Sequence, residues 1–212
     1  MPGFEWIDQK ELNATIKVFK EGGVLMAHGF DSLRKKYHVR DFEKECKSFF
    51  KSNGCLAVSS GTAAIKIALK AVGVKKGDEV ITQSFNFIAT IEAILDCGAV
   101  PVIANVDETL NLDAKELPKL ITKRTKAIIP VHMLGVPCEM DKINLIAKRY
   151  KVLVVEDNCE AVGAKYKGNY LGTLGAIGIF SFDHGKIITS GEGGLILTNK
   201  KKLLKLIRPL QR

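Results

Sequence analysis

No two of the five cysteines (Cys46, Cys55, Cys97, Cys138 and Cys159) stand at a Cys-x-x-Cys spacing, and their number is odd. Neither a disulfide framework nor a zinc cluster fits such a set, so reduced thiols are expected. No apolar run approaches the ~18 residues that would span a bilayer. The opening, MPGFEWIDQKE, lacks the basic start and apolar stretch of a signal peptide. The expectation is a soluble, cytoplasmic protein with no membrane partner. Basic residues are plentiful and the net charge is +9. They form short clusters such as Lys200 to Lys202, but no stripe with interleaved aromatics. A solvated lysine-rich surface accounts for the charge, and nucleic acid is not an expected partner. No His, Cys and Asp group has metal-ligand spacing, so no metal is expected. Internal repeats and low-complexity linkers are missing as well.

What remains is a chain of 212 residues, 46% of them hydrophobic, which can bury a substantial core. From residue 55 onward, apolar runs alternate with helical patterns. Strands are predicted over 55–58, 79–82, 100–105, 127–132, 152–155, 177–182 and 195–198. Helices are predicted from Ala63 to Val72 and over 87–97, 114–120 and 140–150. Alternation of this kind implies crossover units and an α/β fold: a three-layer, mostly parallel sheet flanked by helices. The near-continuous apolar run at 151–155 suits a sheet covered on both faces. After residue 170 two strands follow each other without a helix, joined by a glycine-rich loop over 183–194. Residues 1–50 read as a helical segment packing on the outside of the sheet, with a glycine break near Gly22-Gly23. Residues 51–212 read as the main domain.

Ligands of an open parallel sheet bind beyond the C-terminal ends of its strands. Three motifs are expected there. Ser60-Gly61-Thr62-Ala63 lies between strand and helix. Free N–H groups and a positive dipole end make such a helix start a phosphate site, and Gly61 permits close backbone approach. The same residue types also serve as an ordinary helix cap. Glu156-Asp157-Asn158-Cys159-Glu160 follows a buried strand. A carboxylate there can pair with a protonated ring nitrogen, or simply cap a helix. Phe180-Ser181-Phe182-Asp183-His184-Gly185-Lys186 precedes Gly191-Glu192-Gly193-Gly194. A lysine in a tight glycine-lined loop can form an imine with an aldehyde, or be one more surface lysine. Gly191-Glu-Gly-Gly is no dinucleotide fingerprint, because it precedes a strand instead of opening a helix. His132 and His184 fit structural roles, and His184 is also close enough in sequence to Lys186 to touch substrate.

Taken together, SSGTAA, GDEVITQSFNFIATIEAI, VLVVEDNCEAVGAKYKG and GTLGAIGIFSFDHGKIITSGEGG resemble the DegT/StrS-type sugar aminotransferases, enzymes of pyridoxal-phosphate (PLP) fold-type I. The similarity runs over roughly residues 25 to 200. It implies that Lys186 forms the Schiff base with PLP and acts as general acid and base. It implies that Asp157 pairs with the pyridine nitrogen and that Thr62 and Ala63 form the phosphate turn. Ser181 would add a phosphate contact, and Phe87 would stack on the ring, with Phe85 two residues away as the alternative. Glu160 stands near the cofactor ring oxygen, where the family usually has Gln or His. A carboxylate facing a phenolate-like oxygen is an unfavourable pair unless one of them is protonated.

The resemblance further implies a homodimer, glutamate as amino donor, and a keto-sugar as acceptor for surface polysaccharide such as lipopolysaccharide. The acceptor would be a nucleotide-linked sugar or, from the PGFE and VHMLG stretches, an eight-carbon keto-octulosonate. Family members continue past the glycine-rich strand into a small C-terminal domain, whereas this sequence stops at Arg212. Two alternatives stand beside the aminotransferase. One is a PLP-dependent sugar dehydratase, in which histidine replaces the Schiff-base lysine. The other is an inactive truncated domain.

Overall fold

The computed structural model describes residues 3–21, 23–27, 29–34 and 36–211. Gly22 therefore lies outside the described residues, while Gly23 takes the left-handed φ of +66° that suits a glycine break. Nine strands and seven α-helices are described: α1 (Gln9–Lys20), α2 (His38–Phe49), β1 (Gly54–Val58), α3 (Gly61–Ala71), β2 (Glu79–Gln83), α4 (Ile88–Asp96), β3 (Val100–Ala104), α5 (Leu117–Leu120), β4 (Thr125–Ile129), α6 (Met140–Tyr150), β5 (Leu153–Asp157), β6 (Lys165–Tyr166), β7 (Asn169–Tyr170), β8 (Ile177–Ser181), β9 (Gly194–Thr198) and α7 (Lys201–Ile207).

Seven strands form one sheet in the order β1-β9-β8-β5-β4-β2-β3, and β6 and β7 make a separate hairpin. The pairs β2/β3, β2/β4, β4/β5 and β5/β8 are parallel. Strand β9 runs against both β8 and β1. The mostly parallel, helix-flanked sheet expected from the sequence is therefore present. Its inner strands are hydrophobic on both faces because helices cover both. Along β4, Ala127 and Ile129 enter one core cluster and Ile128 the other, and β2 splits Val80 from Ile81 in the same way. This is the period-2 alternation of a strand. The first core also holds Ala64, Ile65, Ala68 and Leu69 of α3, and the second holds Met140 and Ile143 of α6.

Helix α3 shows why this sequence folds here. Gly61, Ala64, Ile65, Ala68, Leu69 and Val72 are buried, at helical spacing along one stripe. Ser60 starts it by accepting a hydrogen bond from the Ala63 N–H at 3.1 Å.

Several boundaries move. The strand expected to end at Val155 continues through Asp157, and the helix expected from Ala114 is reduced to Leu117–Leu120. The β6–β7 hairpin and α7 were not anticipated. Within the first 50 residues, α2 lies against β1, and Phe50 just beyond it packs on Phe180 with ring centroids 4.9 Å apart. Neither α1 nor α2 fully buries any of its own residues. No helix among the described residues is long and apolar enough to cross a membrane.

Candidate active site

Strands β1, β2, β4, β5 and β8 all deliver their C-terminal ends to one edge of the sheet. A cavity of about 520 Å³ lies there. Gly61, Thr62, Phe87, Asp157, Glu160, Ser181 and Lys186 all line it. Ala63 does not: it lies one step farther along α3, and its N–H is already taken by Ser60 Oγ. The N–H groups of Gly61 and Thr62 have no acceptor among the described residues, so these two are the free donors of the helix start. Phe85 also lies outside the lining, which leaves Phe87 as the aromatic wall.

The helix start can meet Ser181 closely only because residue 61 is glycine. A Cβ there would lie 2.8 Å from Ser181 Cβ and 3.1 Å from Cys159 Sγ. Gly194 opens the other side: a Cβ there would lie 2.3 Å from the Ser60 carbonyl oxygen. The glycine-rich segment thus seats the Ser60–Gly61 turn against the edge of the sheet. Ser181 Oγ accepts from the Asp183 N–H at 3.3 Å, leaving its own proton free to donate.

The adjacent carboxylates of Glu156 and Asp157 face opposite ways, as strand alternation requires. Glu156 is fully buried. One of its oxygens accepts from the Leu174 N–H at 2.7 Å and from the Gly175 N–H; the other accepts from the Gly172 N–H at 2.8 Å. His132 completes this set. Its Nδ1 accepts from the Cys138 N–H at 3.0 Å, which leaves the proton on Nε2, 3.4 Å from Glu156 Oε2. His132 is therefore the structural histidine that the sequence allowed.

Asp157 points into the cavity. Its oxygens accept from the Cys159 N–H and approach the Thr90 hydroxyl, both at 3.1 Å. Thr90 has one proton for two acceptors, because its oxygen also lies 3.2 Å from Asn86 Oδ1. No Lys or Arg forms an ion pair with Asp157 among the described residues. Burial pushes its carboxyl above the ordinary range. This buried acid lacks a cationic partner. Thr90 and Asn86 were not singled out from the sequence. Asn86 lies ahead of α4 and meets Thr90 side chain to side chain across the helix start, so no helical periodicity marked the pair.

Lys186 sits on the glycine-lined loop with its side chain largely buried. Its Nζ lies 3.7 Å from Glu160 Oε1 and 5.6 Å from the centroid of the Phe87 ring. Glu160 is anchored from behind by the Leu134 N–H at 3.2 Å. Leu134 itself holds a left-handed φ of 51°, a strained conformation for leucine. A second chamber of about 280 Å³ adjoins the first and shares Glu160 and Lys186 with it. His184 lines neither chamber.

A parallel sheet that gathers an open helix start, an unpaired buried acid and a recessed lysine at one edge has the architecture of a PLP-dependent fold-type I transferase domain. The model of the DegT/DnrJ/EryC1/StrS aminotransferase family matches residues 16–212, and the chain belongs to that family. It is 46% identical over 174 residues to the GDP-perosamine synthase of Caulobacter vibrioides, covering 82% of this chain and 47% of that protein. Its fold is similar to that of the aminotransferase from Psychrobacter cryohalolentis, with a TM-score of 0.88 and 35% identity over 95% of this chain and 50% of that one. It is also similar to a GDP-4-keto-6-deoxymannose-3-dehydratase whose structure holds PLP and glutamate, with a TM-score of 0.84 and 30% identity over 95% of this chain and 52% of that one. The chain spans about half the length of the curated relatives it matches.

Proposed function

We propose that this chain is the cofactor-binding domain of a PLP-dependent aminotransferase that acts on a keto-sugar. The observation that carries this reading is the convergence of the Lys186 amine, the Asp157 carboxylate and the Gly61–Thr62 helix start on one cavity of about 520 Å³. The residues suit the cofactor group by group. The N–H groups of Gly61 and Thr62, with the Ser181 hydroxyl, would hold the phosphate. The unpaired, buried Asp157 would gain in a pyridinium N–H the cation it lacks. The Phe87 ring would cover one face of the pyridine. Lys186 Nζ would bond the aldehyde carbon.

When bound, PLP serves as an electron sink for a carbon next to the amino nitrogen. The remaining work belongs to the chain. Asp157 keeps the ring nitrogen protonated. Lys186 takes a proton at Nζ from one face and returns it to a neighbouring atom, held in reach by its loop. Glu160 gives the free ammonium form of Lys186 a counter-ion. The smaller chamber beside Lys186 offers room for the substrate.

For the amino acceptor we favour a nucleotide-linked keto-sugar over a keto-octulosonate, because relatives named GDP-perosamine synthase recur at 38–46% identity. Glutamate is the proposed amino donor, and a cytoplasmic homodimer serving surface-polysaccharide synthesis is the proposed setting. The sugar dehydratase is the second reading, carried by the likeness to GDP-4-keto-6-deoxymannose-3-dehydratase. Lys186 speaks against it, and so does His184, which lines neither chamber. An inactive domain is the outcome if the site does not take up cofactor.

Borohydride trapping tests the reading. The chain is mixed with PLP, reduced and digested, and the pyridoxyl adduct is mapped by mass spectrometry. One adduct per chain on Lys186 is expected. Adducts scattered over surface lysines would overturn the reading.

A further inference from the structure

The loop that carries Lys186 is held from outside by a segment more than 180 residues away in sequence. Gly3–Trp6 forms a single 3-10 turn. The Gly3 N–H donates to the carbonyl of Lys186 itself at 2.6 Å. The approach is so close that a Cβ on residue 3 would lie 2.7 Å from the Lys186 carbonyl oxygen and 2.6 Å from that of Ile187. Next to it, the Phe4 ring lies flat on the ring of His184, with centroids 4.6 Å apart and planes 7° from parallel. The turn thus grips the loop at residues 184 and 186.

Apart from the Lys186 side chain's contacts with Glu160 and the Phe87 ring, the loop has little else to hold it from a distance. Its own hydrogen bonds are local: the Lys186 N–H to the Asp183 carbonyl, the Gly185 N–H to Asp183 Oδ1, and the Ser190 N–H and Thr189 hydroxyl to the Phe182 carbonyl. Ile187 and Ile188, which follow the lysine, are 60% and 54% exposed. Among the described residues, Gly3 makes the one backbone hydrogen bond that reaches residues 184–188 from outside the loop.

We infer that Gly3 and Phe4 are positioning residues for Lys186, fixing the peptide from which its amine reaches into the cavity. The inference rests on the reading that Lys186 takes up PLP. The physical argument is pre-organisation. A lysine on a loop that samples many conformations reacts only from the fraction that points correctly, and each outside contact raises that fraction.

The test uses the full chain, with Gly3→Val to force the turn off the loop and Phe4→Ala to remove the stack. Phe4→Tyr serves as the conservative rescue. Two quantities are read: amide hydrogen exchange of the peptide over 184–188, and the rate of borohydride-trapped PLP capture at Lys186. Binding of inorganic phosphate and the melting temperature serve as controls. Loss of one stack or one hydrogen bond should accelerate exchange and slow capture, each by about tenfold. Phosphate affinity should stay unchanged, and Phe4→Tyr should behave like the parent. Exchange and capture both at parental values would overturn the inference. Faster exchange with unchanged capture would also overturn it, since the turn would then be structural only. If the parent captures no PLP at Lys186, the functional reading fails, and parental exchange rates in the variants then refute the grip independently.

Discussion

Glu160 places one carboxylate oxygen 3.7 Å from Lys186 Nζ while the Leu134 N–H holds its other oxygen at 3.2 Å. The pair joins the strained turn after β4 to the lysine loop. It also gives Glu160 a partner that does not involve the unfavourable approach of two anions expected from its sequence position. The carboxylate competes with an incoming aldehyde for the lysine and adds negative charge to a cavity that must accept an anion.

Glu160→Gln keeps an acceptor for Leu134 and removes both effects. We expect it to tighten PLP binding at Lys186 by about threefold at low ionic strength, the scale of a partly exposed ion pair. The gain should shrink as salt is added. Titration of the chain with PLP, followed by its absorbance, measures this. Weaker binding in the variant would mean that the carboxylate helps to hold the cofactor.

Ser181→Ala removes the hydroxyl that can donate beside the Gly61–Thr62 N–H groups. A hydrogen bond to a charged phosphate carries more than a neutral one, so affinity for PLP and for inorganic phosphate should fall about tenfold. Gly61→Ala acts differently, because its Cβ would lie 2.8 Å from Ser181 Cβ. Overpacking there should cost about 1–3 kcal/mol of stability as well as affinity. Isothermal titration with phosphate and a denaturant melt separate the two. Unchanged phosphate affinity in Ser181→Ala would take Ser181 out of the site.

The order of strands and helices was legible because the long elements carry strong patterns: near-continuous apolar runs at β5, β8 and β9, and the stripe of α3. The candidate site residues were proposed from local signatures of phosphate sites, strand-end carboxylates and glycine-lined lysines, and all but Ala63 line the cavity. Ala63 lies off the cavity for a geometrical reason, since the cap at Ser60 uses up its N–H. The β6–β7 hairpin escaped because two residues per strand are too few to show alternation. Helix α7 escaped because it is seven residues long and its N-cap is Lys200, whose side chain makes no capping hydrogen bond. Contacts such as Glu160 with Lys186, Thr90 with Asp157 and Gly3 with Lys186 join segments 26, 67 and 183 residues apart, and no local pattern encodes them.

Asp157→Asn should stabilise the cofactor-free chain. Burial raises the Asp157 carboxyl above its ordinary value of 3.8, so the folded chain binds this proton more tightly than the unfolded chain does. Its contribution is therefore most favourable at acid pH and is lost as pH rises through the raised folded value. At pH 7, well above the ordinary value, the raised carboxyl therefore costs the native state stability, on the order of 1 kcal/mol. The asparagine avoids that cost while its oxygen still accepts from Cys159. We expect a melting temperature about 2–4 °C above the parent at pH 7. The difference should close toward pH 4, and PLP affinity should be severely reduced. Calorimetry at both pH values checks this. No gain at pH 7 would show that the fold already compensates the charge.

Glu156→Gln, one residue earlier, should do the opposite on both counts. The Glu156 carboxylate receives backbone N–H groups from Gly172, Leu174 and Gly175 and faces the Nε2 proton of His132. Every partner is a donor, so an acceptor-only group suits the site and an amide does not. Whichever way the glutamine turns, its NH2 meets N–H groups in a fully buried place. Breaking such a set should cost about 3 kcal/mol and lower the melting temperature by about 6–12 °C. The cavity, however, lies on the other face of the strand, so the folded fraction should still capture PLP at Lys186 at the parental rate. A stable Glu156→Gln, or one that folds but no longer captures PLP, would refute the division of labour between these neighbouring carboxylates. Opposite shifts in melting temperature from adjacent substitutions, with capture lost only at Asp157, would show that strand alternation alone separates the acid that holds the fold from the acid that serves the site.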